Sequence, residues 1–127
     1  MTAPSDSSNS RLGRDKVLLH LLGARLTSVQ FVLDYLILGF DAKGALTTLV
    51  WPEIVQGASV SNFGSSGYRD RLCSLITGTV QSATIHVDDT IEIQFDNDVE
   101  LRIPLRTYAG KGERAIVTGP KHFLHVF

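Results

Sequence analysis

Residues 15–50 read DKVLLHLLGARLTSVQFVLDYLILGFDAKGALTTLV, and residues 70–105 read DRLCSLITGTVQSATIHVDDTIEIQFDNDVELRIPL. Asp15, Gly23, Phe40, Asp41 and Leu46 of the first stretch match Asp70, Gly78, Phe95, Asp96 and Leu101 of the second at one constant offset, with a slip of register between the glycine and the phenylalanine. Matches at a fixed offset predict a tandem of two similar supersecondary units.

Each unit opens on a short helical pattern. Val17, Leu18, Leu21 and Leu22 fall at helical spacing after Asp15, which can favour a helix N-terminus. Gly23 then suits a left-handed helix end. Leu72, Leu75 and Ile76 follow Asp70 in the same way, and Gly78 closes that pattern.

Three strands are expected after each helix. Ala83, Ile85 and Val87, then Ile91, Ile93 and Phe95, then Val99, Leu101 and Ile103 alternate with polar residues. A period of two places one face in a core and the other in water. Asp88-Asp89 and Asp96-Asn97-Asp98 supply turn chemistry between them, so the strands form an antiparallel meander. The first unit offers Val29, Phe31 and Leu33, then Leu36, Leu38 and Phe40, then Leu46, Thr48 and Val50. Residues 114–118 and 122–127 flank Gly119-Pro120-Lys121 and read as a last hairpin. The connector from Pro52 to Gly67 reads as a flexible loop.

The expected fold is therefore α+β and β-rich. Two helix-plus-three-strand meander repeats, residues 15–51 and 70–105, are closed by a C-terminal hairpin, residues 113–127, in one domain. The sheets pack as a sandwich or an open barrel. Residues 1–14 contain few large apolar side chains and are expected to stay disordered.

The pattern of a glycine after a short helix, then L-x-L-x-F-D and a turn, occurring twice, rests on Gly23, Leu36, Leu38, Phe40 and Asp41, and on Gly78, Ile91, Ile93, Phe95 and Asp96. It resembles a family of small uncharacterised two-repeat, β-rich actinobacterial proteins with a domain of unknown function. The resemblance covers roughly residues 15–108 and implies no catalytic residues. This chain carries Arg106-Thr107-Tyr108 where many members have an acidic-aromatic segment.

Bulk composition narrows the function classes. The chain has 127 residues, 43% of them hydrophobic and 20% charged, with a net charge of −1. That balance gives no basis for nucleic-acid binding, which calls for a basic excess. No apolar run approaches membrane-spanning length, and the first ten residues hold no apolar signal core. A single cysteine, Cys73, forbids an internal disulfide. A cytoplasmic protein is expected, with Cys73 as a buried structural thiol.

The two units differ on their outward positions. The second presents Glu92, Gln94, Glu100, Arg102 and Arg106, whereas the first presents Ile37, Gly39, Ala45, Thr47, Leu49 and the only tryptophan, Trp51. An apolar outer face needs cover, from the chain itself or from another molecule. Ile37, Leu49 and Trp51 are thus candidate interface residues for a protein partner or a second copy.

Candidate chemistry is sparse. His86 and Asp88 share a strand face, but sequence supplies no third ligand, so no metal site is expected. His122 and His125 would face opposite sides of a strand. Residues 88–100 hold six acids and no base, and the chain from Arg102 to Lys121 holds five bases and one acid. These segments can neutralise each other. Alternatively, Arg102, Arg106, Arg114 and Lys121 form an anion site for phosphate or a small molecule. The GSSG loop before Arg69 and Arg71 matches no phosphate-binding fingerprint. No catalytic constellation or cofactor motif is present. The expected function is a non-enzymatic protein-interaction module, in the form of a homodimer or a toxin-neutralising immunity-type protein. The alternative is a small-molecule or anion-binding domain, with an enzyme as one form of it.

Overall fold

The computed structural model describes residues 17–41, 44–107, 114–119 and 124–127. In chain order, a meander of β1 (Leu26–Val32), β2 (Tyr35–Phe40) and β3 (Gly44–Thr48) leads to a hairpin of β4 (Glu53–Gln56) and β5 (Ser59–Ser61). The helix α1 (Tyr68–Cys73) precedes a second meander, β6 (Val80–Ile85), β7 (Thr90–Phe95) and β8 (Val99–Pro104), and then a last hairpin, β9 (Ala115–Thr118) and β10 (Leu124–Val126).

The alternation that predicts these strands also sorts their side chains. Leu36, Leu38, Phe40, Leu46, Ala115 and Val117 of one sheet are buried, as are Ala83, Ile85, Ile91, Ile93, Phe95, Leu101 and Ile103 of the other. Together they form a single hydrophobic core. Each fully buried large side chain contributes about 1.5–3 kcal/mol through removal from water. Thr48 is one of the few buried polar residues, and its hydroxyl is satisfied by the Val50 backbone, donating at 2.7 Å and accepting at 3.1 Å.

Both sheets are antiparallel and five-stranded, in the orders β1-β2-β3-β9-β10 and β5-β4-β8-β7-β6. The hairpin after each meander joins the opposite sheet: β4 pairs with β8, and β9 pairs with β3. One isolated bridge, Arg25 to Thr79, ties the entrances of β1 and β6. The architecture is thus two antiparallel sheets with exchanged hairpins around one shared core.

This overturns the expected α+β tandem of helix-plus-meander repeats. The fold is almost entirely β, and neither matched stretch makes a sheet by itself, because each meander is extended by the hairpin that follows the other. Among the described residues the first helical pattern gives helical residues at Val17 and Leu18, then a 3-10 turn at Leu19–Leu21. Leu22 is already extended, at ψ 128°, and the Gly23 N–H bonds to the Val80 carbonyl. From Gly23 onward strand pairing takes the chain over. α1 is six residues long.

Other expectations are corrected locally. The connector from Pro52 is not a flexible loop, since it forms β4 and β5, and its remainder is pinned by Ser65 N–H to the Asn62 carbonyl and Tyr68 N–H to the Ser65 carbonyl. Leu33 and Val87, expected inside, are exposed in the turns beyond β1 and β6. The left-handed residue after α1 is Thr77 at φ 85°, not Gly78. Gly78 answers a different constraint: a Cβ there would lie 2.9 Å from the Leu75 carbonyl oxygen and 3.1 Å from the Phe95 ring. Asp15, His122 and the N-terminal segment lie outside the described residues.

Candidate functional site

Three surfaces bear on function. The first is the outer face of the β1-β2-β3-β9-β10 sheet. Strand register lays Gln30, Ile37, Thr47, Ile116 and Val126 in one row across all five strands. Ser28, Gly39, Ala45, Thr118 and Leu124 form the next row. Neither row contains a charge. Leu124 is 62% exposed and Val126 41%. Ile37, Thr47 and Ile116 are half-buried.

The second surface is the outer face of the other sheet, and it is charged. Register aligns Thr84, Glu92, Arg102 and Glu53 across β6, β7, β8 and β4. The Arg102 Nε–H donates to Glu100 at 2.7 Å and lies 3.6 Å from Glu92. The Glu100 hydrogen bond pushes the guanidinium further up from its ordinary pKa. His86 Nε2 meets the Glu92 carboxylate. Glu53, His86, Asp88, Thr90 and Glu92 line a shallow depression of about 340 Å³ here. No group of three or more metal-ligating side chains occurs among the described residues.

The expected anion site is not assembled. Arg106 and Arg114 converge on Asp89, at 3.6 and 3.7 Å, while Arg102 sits among its own carboxylates. Lys121 lies outside the described residues. An anion approaching these arginines would compete with carboxylates already in place. Among the described residues, Asp89 of the acidic stretch pairs instead with Arg106 and Arg114.

The third surface surrounds Trp51. Its ring stacks on Phe31 at 6.4 Å and 17°, and meets Phe63 at 4.5 Å. Phe63 in turn lies 6.1 Å from Tyr68. The Tyr68 hydroxyl donates to the Pro52 carbonyl, which fixes α1 to the residue after Trp51. Burial, helped by the Glu53 charge, pushes the Tyr68 phenol well above its ordinary pKa. A cleft of about 290 Å³ opens beside these rings, lined also by Gly64, Ser65, Gly67, Arg69 and Asp70.

The three interface candidates therefore part company. Ile37 belongs to the uncharged outer face. Trp51 lies toward the other side of the same sheet, since it stacks on Phe31, whose register partner is the fully buried Leu36. Leu49 is half-buried just beyond β3, its N–H bonded to the Arg114 carbonyl. Cys73, expected to be buried, is exposed on α1. Sequence reasoning missed Phe31, Phe63 and Tyr68 as neighbours of Trp51. They are scattered along the chain without a periodic spacing, and only the fold gathers them.

No family model, curated protein or solved structure matches this chain. No helix among the described residues is long and apolar enough to cross a membrane.

Proposed function

We propose that this protein is a non-enzymatic interaction module that binds another protein surface through the outer face of the β1-β2-β3-β9-β10 sheet. The observation that carries the reading is the pair of uncharged rows running from Gln30 to Val126 and from Ser28 to Leu124. The opposite outer face is dense with paired charges, so the contrast is specific to one side. Interface centres are depleted in charge, and stacked sheets pack face to face about 10 Å apart.

A second copy of the chain is the simplest partner. Two uncharged faces meeting on a two-fold axis bring no like charges together. The five strands span about 19 Å from first axis to last at the usual strand spacing, a width suited to sheet-on-sheet packing. The small-molecule alternative draws no support from Arg102, Arg106 and Arg114, which are engaged by carboxylates.

The experiment is a charge placed at the centre of the face. Thr47 is half-buried with its side chain outward, between Ile37 and Ile116. Thr47→Lys should leave the isolated fold within about 0.5 kcal/mol of wild type, as outward surface changes do. It should abolish self-association, or capture of a partner, measured by light scattering and affinity capture. Association unchanged by this substitution would refute the proposed surface.

A further inference from the structure

The cleft beside Trp51 has a chemistry that the interaction face does not share. Its apolar wall is built from Phe31, Trp51 and Phe63, and Phe63 remains 52% exposed although its ring contacts tryptophan. Its polar rim is Arg69 and Asp70, consecutive residues of α1. The Arg69 guanidinium lies over the Phe31 ring, 5.3 Å from its centroid. Among the described residues neither Arg69 nor Asp70 makes an ion pair, whereas Arg102, Arg106 and Arg114 all do.

An open aromatic wall flanked by an unpaired cation and an unpaired anion is complementary to a molecule with matching parts. That molecule carries one flat apolar ring and, a few ångströms away, a carboxylate and an ammonium close together. A free aromatic α-amino acid has this arrangement, because both of its charges are attached at one carbon. The size suits so small a ligand: about 290 Å³ lies just below the range of about 300 to 1,000 Å³ typical of ligand clefts. The tilted ring pair of Trp51 and Phe63 leaves an edge and a face for a third ring.

We propose that this cleft binds a free aromatic α-amino acid. Its ring lies against Phe63 and Trp51, its carboxylate meets Arg69, and its ammonium meets Asp70. This site is independent of the uncharged sheet face, so either can fail without the other.

Trp51 is the only tryptophan in the chain, so its fluorescence reports directly on the cleft wall. The test titrates the full-length protein with L-phenylalanine, whose own emission does not overlap, and follows Trp51. Ligand-observed saturation-transfer NMR of the same samples detects binding that leaves the emission unchanged. The expected result is saturable binding with a Kd on the order of 1 mM. Arg69→Gln and Asp70→Asn should each weaken it about threefold or more, with melting temperatures unchanged. Phe63→Ala should also weaken it, at an exposed position where truncation leaves the fold intact. N-acetylphenylalanine amide, which lacks both charges, and leucine, which lacks the ring, should bind less tightly. The proposal is overturned if neither readout detects phenylalanine up to about 20 mM. It is equally overturned if the uncharged amide binds as well as phenylalanine, or if the Arg69 and Asp70 variants bind like wild type.

Discussion

Asp41 and Arg25 close a ring of two hydrogen bonds. The Arg25 N–H donates to Asp41 Oδ1 at 2.8 Å, and the Asp41 N–H donates to the Arg25 carbonyl at 3.0 Å. Asp96 and Thr79 make the same pair of bonds, at 3.1 and 2.9 Å. Arg25 and Thr79 are themselves bridged. The Phe-Asp sequence at the end of β2 and of β7 thus ties each meander to its own entrance, and the two entrances to each other.

Removing one clasp should be measurable. Asp41→Ala leaves the Arg25 N–H to water and should cost about 1 kcal/mol in urea unfolding. Asp41→Asn keeps an acceptor oxygen and should cost less. Because Arg25 pairs with Thr79, the double variant Asp41→Ala, Asp96→Ala should depart from additivity. Equal losses for the Ala and Asn variants would show that the acceptor is unimportant.

The exchanged hairpins make a prediction about fragments. Residues 1–67 and 68–127 each lack strands of both sheets, since β4 pairs with β8 and β9 with β3. Each fragment alone should show no cooperative thermal transition by circular dichroism, and mixing the two should restore one. A cooperative melt from either fragment by itself would contradict the interlocked core.

Tyr68 gives a pH dependence with a definite sign. Burial holds the folded phenol above the ordinary value of 10.0, so the unfolded chain ionises first. The contribution is fully present below pH 10 and is lost as pH rises above it toward the folded pKa. Tyr68→Phe should remove this alkaline loss. At neutral pH it should cost about 1–2 kcal/mol, because the Pro52 carbonyl loses its donor. Matching alkaline profiles for wild type and variant would place the effect on another group.

Inorganic phosphate should not stabilise the protein through its C-terminal arginines. Arg102 faces Glu100 and Glu92, and Arg106 and Arg114 share Asp89. A melting temperature unchanged in about 20 mM phosphate at constant ionic strength is the expected result. A rise that Arg114→Gln abolishes would restore the anion site.

Much of the strand pattern was legible because alternation is a local signal. Ile91, Ile93 and Phe95, and Leu101 and Ile103, are buried where the period of two places them. Leu33 and Val87 continue the alternation yet are exposed, since alternation does not say where a strand stops and its turn begins. β4 and β5, four and three residues long, are too short to show a period, so their segment read as a loop. The helical spacing at Val17 to Leu22 ends earlier than it reads, because the Gly23 N–H pairs with the Val80 carbonyl. The contrast between the two outer faces was readable from Ile37 and Thr47 against Glu92 and Arg102. The exchange of hairpins was not readable, because β3 and β9 meet only through tertiary pairing. For the same reason Trp51 reads in the sequence as an outer-face residue, whereas Phe31 and Phe63 hold it elsewhere.

The central claim, association through the uncharged sheet face, is tested most directly by sedimentation velocity. Wild type and Thr47→Lys, matched in melting temperature, would be compared from about 1 to 300 μM, a range that covers micromolar dimers. The account predicts a concentration-dependent approach to twice the chain mass for wild type and a monomer throughout for the variant. If wild type stays monomeric, captured partner added to both samples should co-sediment with wild type alone. Identical behaviour of the two proteins in both arms would contradict it.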